Sequence, residues 1–276
     1  MFESILGHEK EKKILINDIQ NESVSHAYVF SGPKGIGKRT TAEEFARKFL
    51  NVDNLSSTQD YKYISKNIDK KEILVGQIRE EIIENIHVKP CMSDYKIYII
   101  DNADSLNIQA QNTLLKTLEE PPYYVVIILI VEKIQRLLPT IVSRVKEIQF
   151  MPLQDSVIST YMKDKYGDKE FDNNMLKYIN GSIGKIEILG REGELENFRE
   201  IEKIVNGIKR GDILGTIKKI DKLSFKNPNI LDYLEYTLFY EGLASKIVIV
   251  EKVRNKLIRN GNEDIIKTKM SVDICR

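Results

Sequence analysis

The ten residues Ser31-Gly32-Pro33-Lys34-Gly35-Ile36-Gly37-Lys38-Arg39-Thr40 constrain this chain more than any other stretch. They fit the phosphate-loop pattern G-x-x-x-x-G-K-[ST] at every position but the last. In that pattern the glycines let successive backbone N–H groups wrap a phosphate, the lysine reaches the outer phosphates, and the hydroxyl ligates magnesium. Arg39 stands where the hydroxyl belongs, with Thr40 after it. The flanks support the motif. His26 to Phe30 reads as a short buried strand, and Arg39 to Leu50 continues as an amphipathic helix. A phosphate-loop fold is therefore expected. Intact ATP chemistry is not, because a fixed cation replaces a metal ligand.

With 276 residues the chain can hold two or three domains, and 42% hydrophobic residues is ordinary for a globular core. A formal net charge of +1 announces neither a nucleic-acid binder nor a membrane binder, so any such contact is a local patch. Cys91 and Cys275 make no disulfide framework and no metal-ligand spacing, and read as free thiols of a reducing cytoplasm. The start Met1-Phe2-Glu3-Ser4 lacks the basic and apolar regions of a signal peptide. The longest apolar run, Tyr123 to Val131, is too short to span a bilayer. A cytoplasmic protein without a membrane partner is the expectation.

Along the chain, residues 2–25 read as an amphipathic helix with Ile5, Leu6, Ile14, Leu15 and Ile19 on its apolar side. Asn51 to Lys71 is polar and patternless and reads as a connecting excursion. The spacing of Val75, Ile78, Ile82, Ile83 and Ile86 predicts a helix. Tyr95 to Asp101 predicts a buried parallel strand whose terminal acid, Asp101, would hold magnesium in a phosphate-loop protein. Asn102 follows where an ATPase of this type commonly carries a carboxylate, and an amide can orient water but not deprotonate it. A helix over Asn107 to Glu120, stopped by Pro121-Pro122, precedes a strand over Tyr123 to Val131 and a last strand over Lys146 to Phe150. Alternating strands and helices imply a parallel, doubly wound α/β layer. Beyond Met151-Pro152 the pattern is helical, over Gln154 to Tyr166, Asp172 to Ile179, Ile183 to Leu189 and then from Phe198 onward. Gly181 is suited to a left-handed cap and Ser182 to the next N-cap.

These residues resemble the bacterial DNA polymerase III clamp-loader AAA+ subunits. The resemblance rests on His26-Ala27-Tyr28 before the loop, Ile99-Ile100-Asp101 with Ala103-Asp104, the run Asn112 to Pro122, and Leu138 to Arg144. It covers most of residues 1–150, and the block Leu115-Lys116-Thr117-Leu118-Glu119-Glu120-Pro121-Pro122 is its most distinctive part. It implies an AAA+ phosphate-loop domain over 1–151, a helical lid over 152–196 and an all-α collar for oligomerisation over 197–276.

Against the family's motor subunits, the chain departs at several places. Arg39 and Asn102 replace the expected hydroxyl and carboxylate, the cysteine-rich zinc module is absent, Gly184 stands where the lid would carry its sensor arginine, and Val131-Glu132 offer no convincing polar sensor. Ser143-Arg144 matches the family's arginine-finger motif, with Val145 in place of cysteine. The resemblance thus implies a subunit that does not itself hydrolyse ATP, requires no cofactor, carries no zinc and binds ATP or ADP weakly. Its nucleotide contacts would come from Gly32, Pro33, Lys34, Gly35, Ile36, Gly37, Lys38, Arg39, Thr40 and Asp101. Its catalytic contribution would be Arg144, beside Ser143, reaching in trans to ATP on a neighbour. The implied partners are the motor subunits and the delta subunit, with the sliding clamp and primer-template DNA reached through the complex. An active motor-type ATPase using Lys38 and Asp101 is the alternative.

Overall fold

The computed structural model describes residues 2–66, 72–167, 171–259 and 261–275. In chain order the elements begin α1 (Glu9–Gln20), β1 (Ala27–Ser31), α2 (Lys38–Phe49), β2 (Tyr61–Ile64), α3 (Val75–Ile78), β3 (Lys96–Ile100), α4 (Ile108–Glu119) and β4 (Val125–Val131). They continue with α5 (Pro139–Val142), β5 (Lys146–Gln149), α6 (Asp155–Tyr166), α7 (Asn173–Ile179), α8 (Ile183–Leu189), α9 (Glu194–Arg210), α10 (Ile213–Lys222), α11 (Pro228–Tyr240), α12 (Ile247–Ile258) and α13 (Glu263–Cys275). Two compact units result. One holds Met1–Asp168 with Ile179–Lys185, the other Lys169–Tyr178 with Ile186–Arg276.

The first unit is built on a parallel sheet in the order β2-β3-β4-β1-β5. Its central strands are runs of β-branched and aromatic residues because both faces are covered. Alternate residues feed two cores. Ala27, Val29, Tyr98, Ile100, Ile127 and Leu129 face one layer with Ile78, Leu114 and Leu118, whereas Tyr28, Phe30, Ile97, Ile99, Ile128 and Ile130 face the other with Leu15, Ala42 and Phe45. Each such aliphatic side chain contributes roughly 1.5–3 kcal/mol on burial. Asn107 caps α4 by accepting from the Ala110 N–H at 2.9 Å, and the helix ends just before Pro121-Pro122.

Three expectations change. Residues 2–25 give a helix only over Glu9–Gln20, preceded by turns in which Phe2 and His8 take φ of 61° and 57°. The stretch 51–71 is not merely a connection. Tyr61–Ile64 joins the sheet as edge strand β2, paired with Ile97–Ile100, and only Ile64 of its four residues is buried. A half-solvated edge strand has little apolar signature to read. Residues 67–71 of that stretch lie outside the described residues. The helix expected over Val75–Ile86 starts as α3 and widens into a π-helical turn over Arg79–Ile83. Buried Ile78, Ile82 and Ile86 recur every four residues, a spacing the wider helix keeps on one face.

Just before β2, the buried Asp60 carboxylate accepts the N–H groups of Cys91, Met92 and Ser93 at 2.7, 2.7 and 2.9 Å, closing the turn that leads into β3.

The second unit is helical throughout its described residues. Phe198, Ile201, Ile204 and Val205 of α9 are buried, as are Tyr233, Leu234 and Leu238 of α11, and the rings of Tyr178, Phe198 and Tyr233 meet edge-on or tilted at 5.2–5.4 Å. The buried Glu194 ties the start of α9 to α11 by accepting from Asn227 Nδ2 at 2.8 Å and Tyr233 Oη at 3.0 Å. Asp212 and Asn227 cap α10 and α11 by accepting backbone N–H groups at 3.0 Å, where the polar breaks in the sequence fall. Among the described residues no helix is long and apolar enough to cross a membrane.

Candidate nucleotide-binding site

The phosphate loop leaves the carboxyl end of β1, an inner strand between β4 and β5, and feeds α2. Gly32, Gly35 and Gly37 hold φ of 139°, 78° and 105°, a region open to glycine and strained for other residues. At Gly32 space demands it too, since a Cβ would lie 2.2 Å from the Phe150 carbonyl oxygen. Lys38 is buried at 6% exposure, and its Nζ donates to the carbonyls of Gly32 and Pro33, both at 2.6 Å. Burial pulls its pKa below the usual lysine value, against the opposing charges of Glu132, Asp101 and Asp104. Ile36 is buried under the loop, and its carbonyl accepts from His8 Nε2 at 2.7 Å. Pro33, Lys34 and Thr40 are exposed. The buried hydroxyl of this turn belongs to Thr41, which donates to the Gly37 carbonyl at 2.9 Å.

Beside the loop lie Arg39, Tyr63 and Asp101. Arg39 Nε donates to Glu43 Oε1 at 2.7 Å, and its guanidinium carbon sits 4.2 Å from the centre of the Tyr63 ring. Although partial burial disfavours its charge, Glu43, Tyr63 and Asp101 together raise its pKa. Tyr63 reaches the site from edge strand β2, where it pairs with Ile99 of β3; β3 and β4 lie between β2 and the strand that carries the loop. Its Oη donates to Asp101 Oδ2 at 2.6 Å, while Asp101 Oδ1 accepts the Asn102 N–H at 2.8 Å. Burial, and then the bond to Asp101, push the Tyr63 phenol well above its usual range. Asn102 holds φ of 54° and starts the short turn that leads to α4.

The segment 181–184 completes the surroundings. Gly181, at φ of 71°, accepts the Leu153 N–H at 3.1 Å, and Ser182 accepts the Lys185 N–H at 3.2 Å as the cap of α8. Ser182 Oγ also donates to the Lys34 carbonyl at 3.2 Å, and the Gly184 N–H donates to the Gly35 carbonyl at 2.8 Å. The two glycines lie so close that a Cβ on Gly184 would fall 2.9 Å from Gly35 Cα. At position 184, where an arginine was expected, backbone rests on backbone.

Arg144 and Ser143 stand apart from these groups, on the turn between α5 and β5. Arg144 Nη1 donates to the Thr140 carbonyl at 2.8 Å and contacts Ser143 Oγ at 3.1 Å, and its Nη2 lies 2.9 Å from Glu119 Oε1. The side chain stays 34% exposed.

The loop therefore fits phosphate better than it fits magnesium. Its glycines keep the backbone cradle, and Lys38 lies beside it. Arg39 supplies no metal-ligating oxygen where the hydroxyl belongs, its guanidinium lying over the Tyr63 ring, and both oxygens of Asp101 already accept hydrogen bonds. Residues 7–154 match the family described as DNA polymerase III, delta subunit. The chain belongs to that family. Its fold is of the AAA+ type, and as a member of the delta-type, clamp-loader group it aligns with several DNA polymerase III subunits. The gamma subunit of Buchnera aphidicola subsp. Schizaphis graminum is 28% identical over 99% of this chain and 87% of that protein. The delta' subunit of Bacillus subtilis is 36% identical over 53% of this chain. Among solved structures, a DNA polymerase III gamma subunit-related protein of Thermotoga maritima superposes with a TM-score of 0.61 at 16% identity, covering 95% of this chain and 98% of that one, which speaks to fold alone. This delta-family chain spans only 25% to 48% of the length of several other curated relatives.

Sequence reasoning missed Tyr63, which it left inside a connecting stretch, and the tie from His8 to the loop. The alternation Tyr61-Lys62-Tyr63-Ile64 was the available signal for a strand.

Proposed function

We propose that this chain is a delta-prime-type subunit of the DNA polymerase III clamp loader. It completes the ring without hydrolysing ATP, offers Arg144 to ATP held by a neighbouring motor subunit, and helps load the sliding clamp on primed DNA. The observation that carries this reading is the pairing of Asp101 with Tyr63 beside Arg39: the carboxylate that would serve a metal is engaged by a phenol and faced by a fixed cation. Arg144, by contrast, is a part-exposed guanidinium held on a short turn by the Thr140 carbonyl and Ser143.

In the proposed role each residue acts through ordinary electrostatics. The loop backbone from Gly32 to Lys38 holds ATP or ADP weakly and without need of a metal, because Arg39 already supplies positive charge. Arg144 stabilises charge developing on a phosphoryl group bound by the neighbour, an effect that reaches about three to five powers of ten when an arginine is supplied in trans. No zinc and no other cofactor is required. The finer division into 1–151, 152–196 and 197–276, with the last as the oligomerising collar, belongs to the same proposal. So do the partners, namely motor subunits, the delta subunit, and clamp and DNA through the complex, and a cytoplasmic location.

A second reading, an active gamma-like motor, is favoured by the near full-length match to a gamma subunit. The deciding experiment measures ATP hydrolysis by the isolated chain and by the reconstituted complex containing wild type or Arg144→Ala. The proposal expects little turnover from the isolated chain and at least a tenfold lower rate for the complex with Arg144→Ala. Steady turnover of the isolated chain that Lys38→Ala abolishes would establish the motor reading instead.

A further inference from the structure

We infer that Tyr63 is the residue that closes this site to divalent metal, and that restoring a hydroxyl at position 39 cannot by itself reopen it. The inference rests on the reading of the loop as a non-hydrolysing phosphate site. The replacement of a hydroxyl by Arg39 is visible in the sequence, whereas Tyr63 enters only through the fold. The Asp101 N–H donates to the Ile64 carbonyl at 2.8 Å, so β2 and β3 remain paired to their carboxyl ends. That register brings the Tyr63 phenol against Asp101 Oδ2 at 2.6 Å.

A carboxylate serves a hard cation such as magnesium, directly or through water, by presenting free oxygen lone pairs. Here Oδ2 accepts from the Tyr63 O–H and Oδ1 from the Asn102 N–H, so each oxygen has one of its two lone pairs committed to a donor before any cation arrives. A phenol O–H is a hydrogen-bond donor, and the part-buried Tyr63 hydroxyl finds its acceptor in Oδ2. The same ring carries the Arg39 guanidinium on its face at 4.2 Å, and Glu43 anchors that guanidinium from the next turn of α2. Tyr63 thus has two parts in the exclusion. Its hydroxyl occupies the acid, and its ring seats the cation whose charge Asp101 feels. If Arg39 is cut back to threonine, the first part remains.

The test follows the Asp101 and Asn102 amide resonances of isotopically labelled full chain during titration with manganese ion, whose paramagnetism broadens nearby amides. Wild type and Arg39→Thr are expected to show no selective broadening. The double variant Arg39→Thr with Tyr63→Phe is expected to broaden both amides at least fivefold more than wild type, and adding Asp101→Asn to it is expected to abolish the effect. Tyr63→Phe keeps the ring, and unchanged resonances elsewhere confirm that each variant is folded. Broadening in wild type, equal broadening in Arg39→Thr and the double variant, or none in the double variant would each overturn the assignment. The readout needs no nucleotide. ADP-induced shifts at the Gly35 and Lys38 amides, measured on the same samples, report separately on the loop as a phosphate site, so a failure there is told apart from a failure here.

Discussion

Arg144 and Glu119 face each other across 2.9 Å, guanidinium Nη2 to carboxylate Oε1, one on the turn after α5 and the other in the last turn of α4. Both side chains are part-exposed, at 34% and 49%, so the pair contributes at most about 1 kcal/mol to folding. Glu119→Ala and Arg144→Ala should each leave the free energy of urea unfolding within about 1 kcal/mol of wild type. In the reconstituted complex they should diverge, with Glu119→Ala keeping ATP turnover within roughly threefold while Arg144→Ala lowers it at least tenfold. Equal losses from the two variants would make Arg144 a structural residue.

The contact between Gly35 and Gly184 predicts an unusual sign. Glycine to alanine inside a helix ordinarily stabilises by roughly 1 kcal/mol. At Gly184, in α8, the added Cβ would meet Gly35 Cα at 2.9 Å and its carbonyl oxygen at 3.2 Å. Gly184→Ala is therefore expected to destabilise by about 1–3 kcal/mol, the range for overpacking against backbone. A thermal midpoint at or above wild type would show that this contact yields freely.

Asp60 gives the pH dependence. Burial alone would raise its pKa, but the N–H groups of Cys91, Met92 and Ser93 and the Ser93 hydroxyl outweigh burial and hold it below the ordinary 3.8. A carboxyl whose folded pKa is depressed adds stability above its unfolded pKa and loses it as pH falls through the folded value. Asp60→Asn should cost about 2–3 kcal/mol near neutral pH, the scale of hydrogen bonds to a charged acceptor. The gap to wild type should then narrow below about pH 4 in a pH series of denaturation midpoints. A gap that stays constant down to strongly acidic pH would contradict it.

In the helical unit, Glu194 is the corresponding test. Glu194→Ala leaves Asn227 and the buried Tyr233 hydroxyl without their acceptor, and should cost about 2–4 kcal/mol. Glu194→Gln keeps one acceptor oxygen and should cost less. Chemical denaturation followed by tyrosine fluorescence orders the two, and the reverse order would show that a retained acceptor oxygen at 194 does not serve Asn227 and Tyr233.

Strands β1, β3, β4 and β5 were legible because buried parallel strands concentrate apolar β-branched residues, and α4 because Asn107 and Pro121-Pro122 mark its ends. Strand β2 was not, since an edge strand with one buried residue looks polar, and Tyr63 was hidden with it. Of the site, Lys38, Arg39 and Asp101 could be placed from spacing alone. Which atoms those side chains would meet could not. The partner of Asp101 comes from β2, and the partner of Arg144 comes from the end of α4, 25 residues earlier, so both depend on strand order and register rather than on local pattern. The glycine at 184 was legible as a missing arginine, while its role as a contact surface for Gly35 required the fold.

The two short bonds from Lys38 Nζ to the Gly32 and Pro33 carbonyls make the loop its own competitor. An incoming phosphate must break them before it gains the lysine. At about 0.5–1.5 kcal/mol each, they lower the apparent affinity by roughly 5- to 150-fold. Arg39 and Gly184 bring neither a metal-ligating hydroxyl nor a second guanidinium to the loop to offset that loss. The result is a phosphate-loop turn whose default occupant is a side chain of the protein itself.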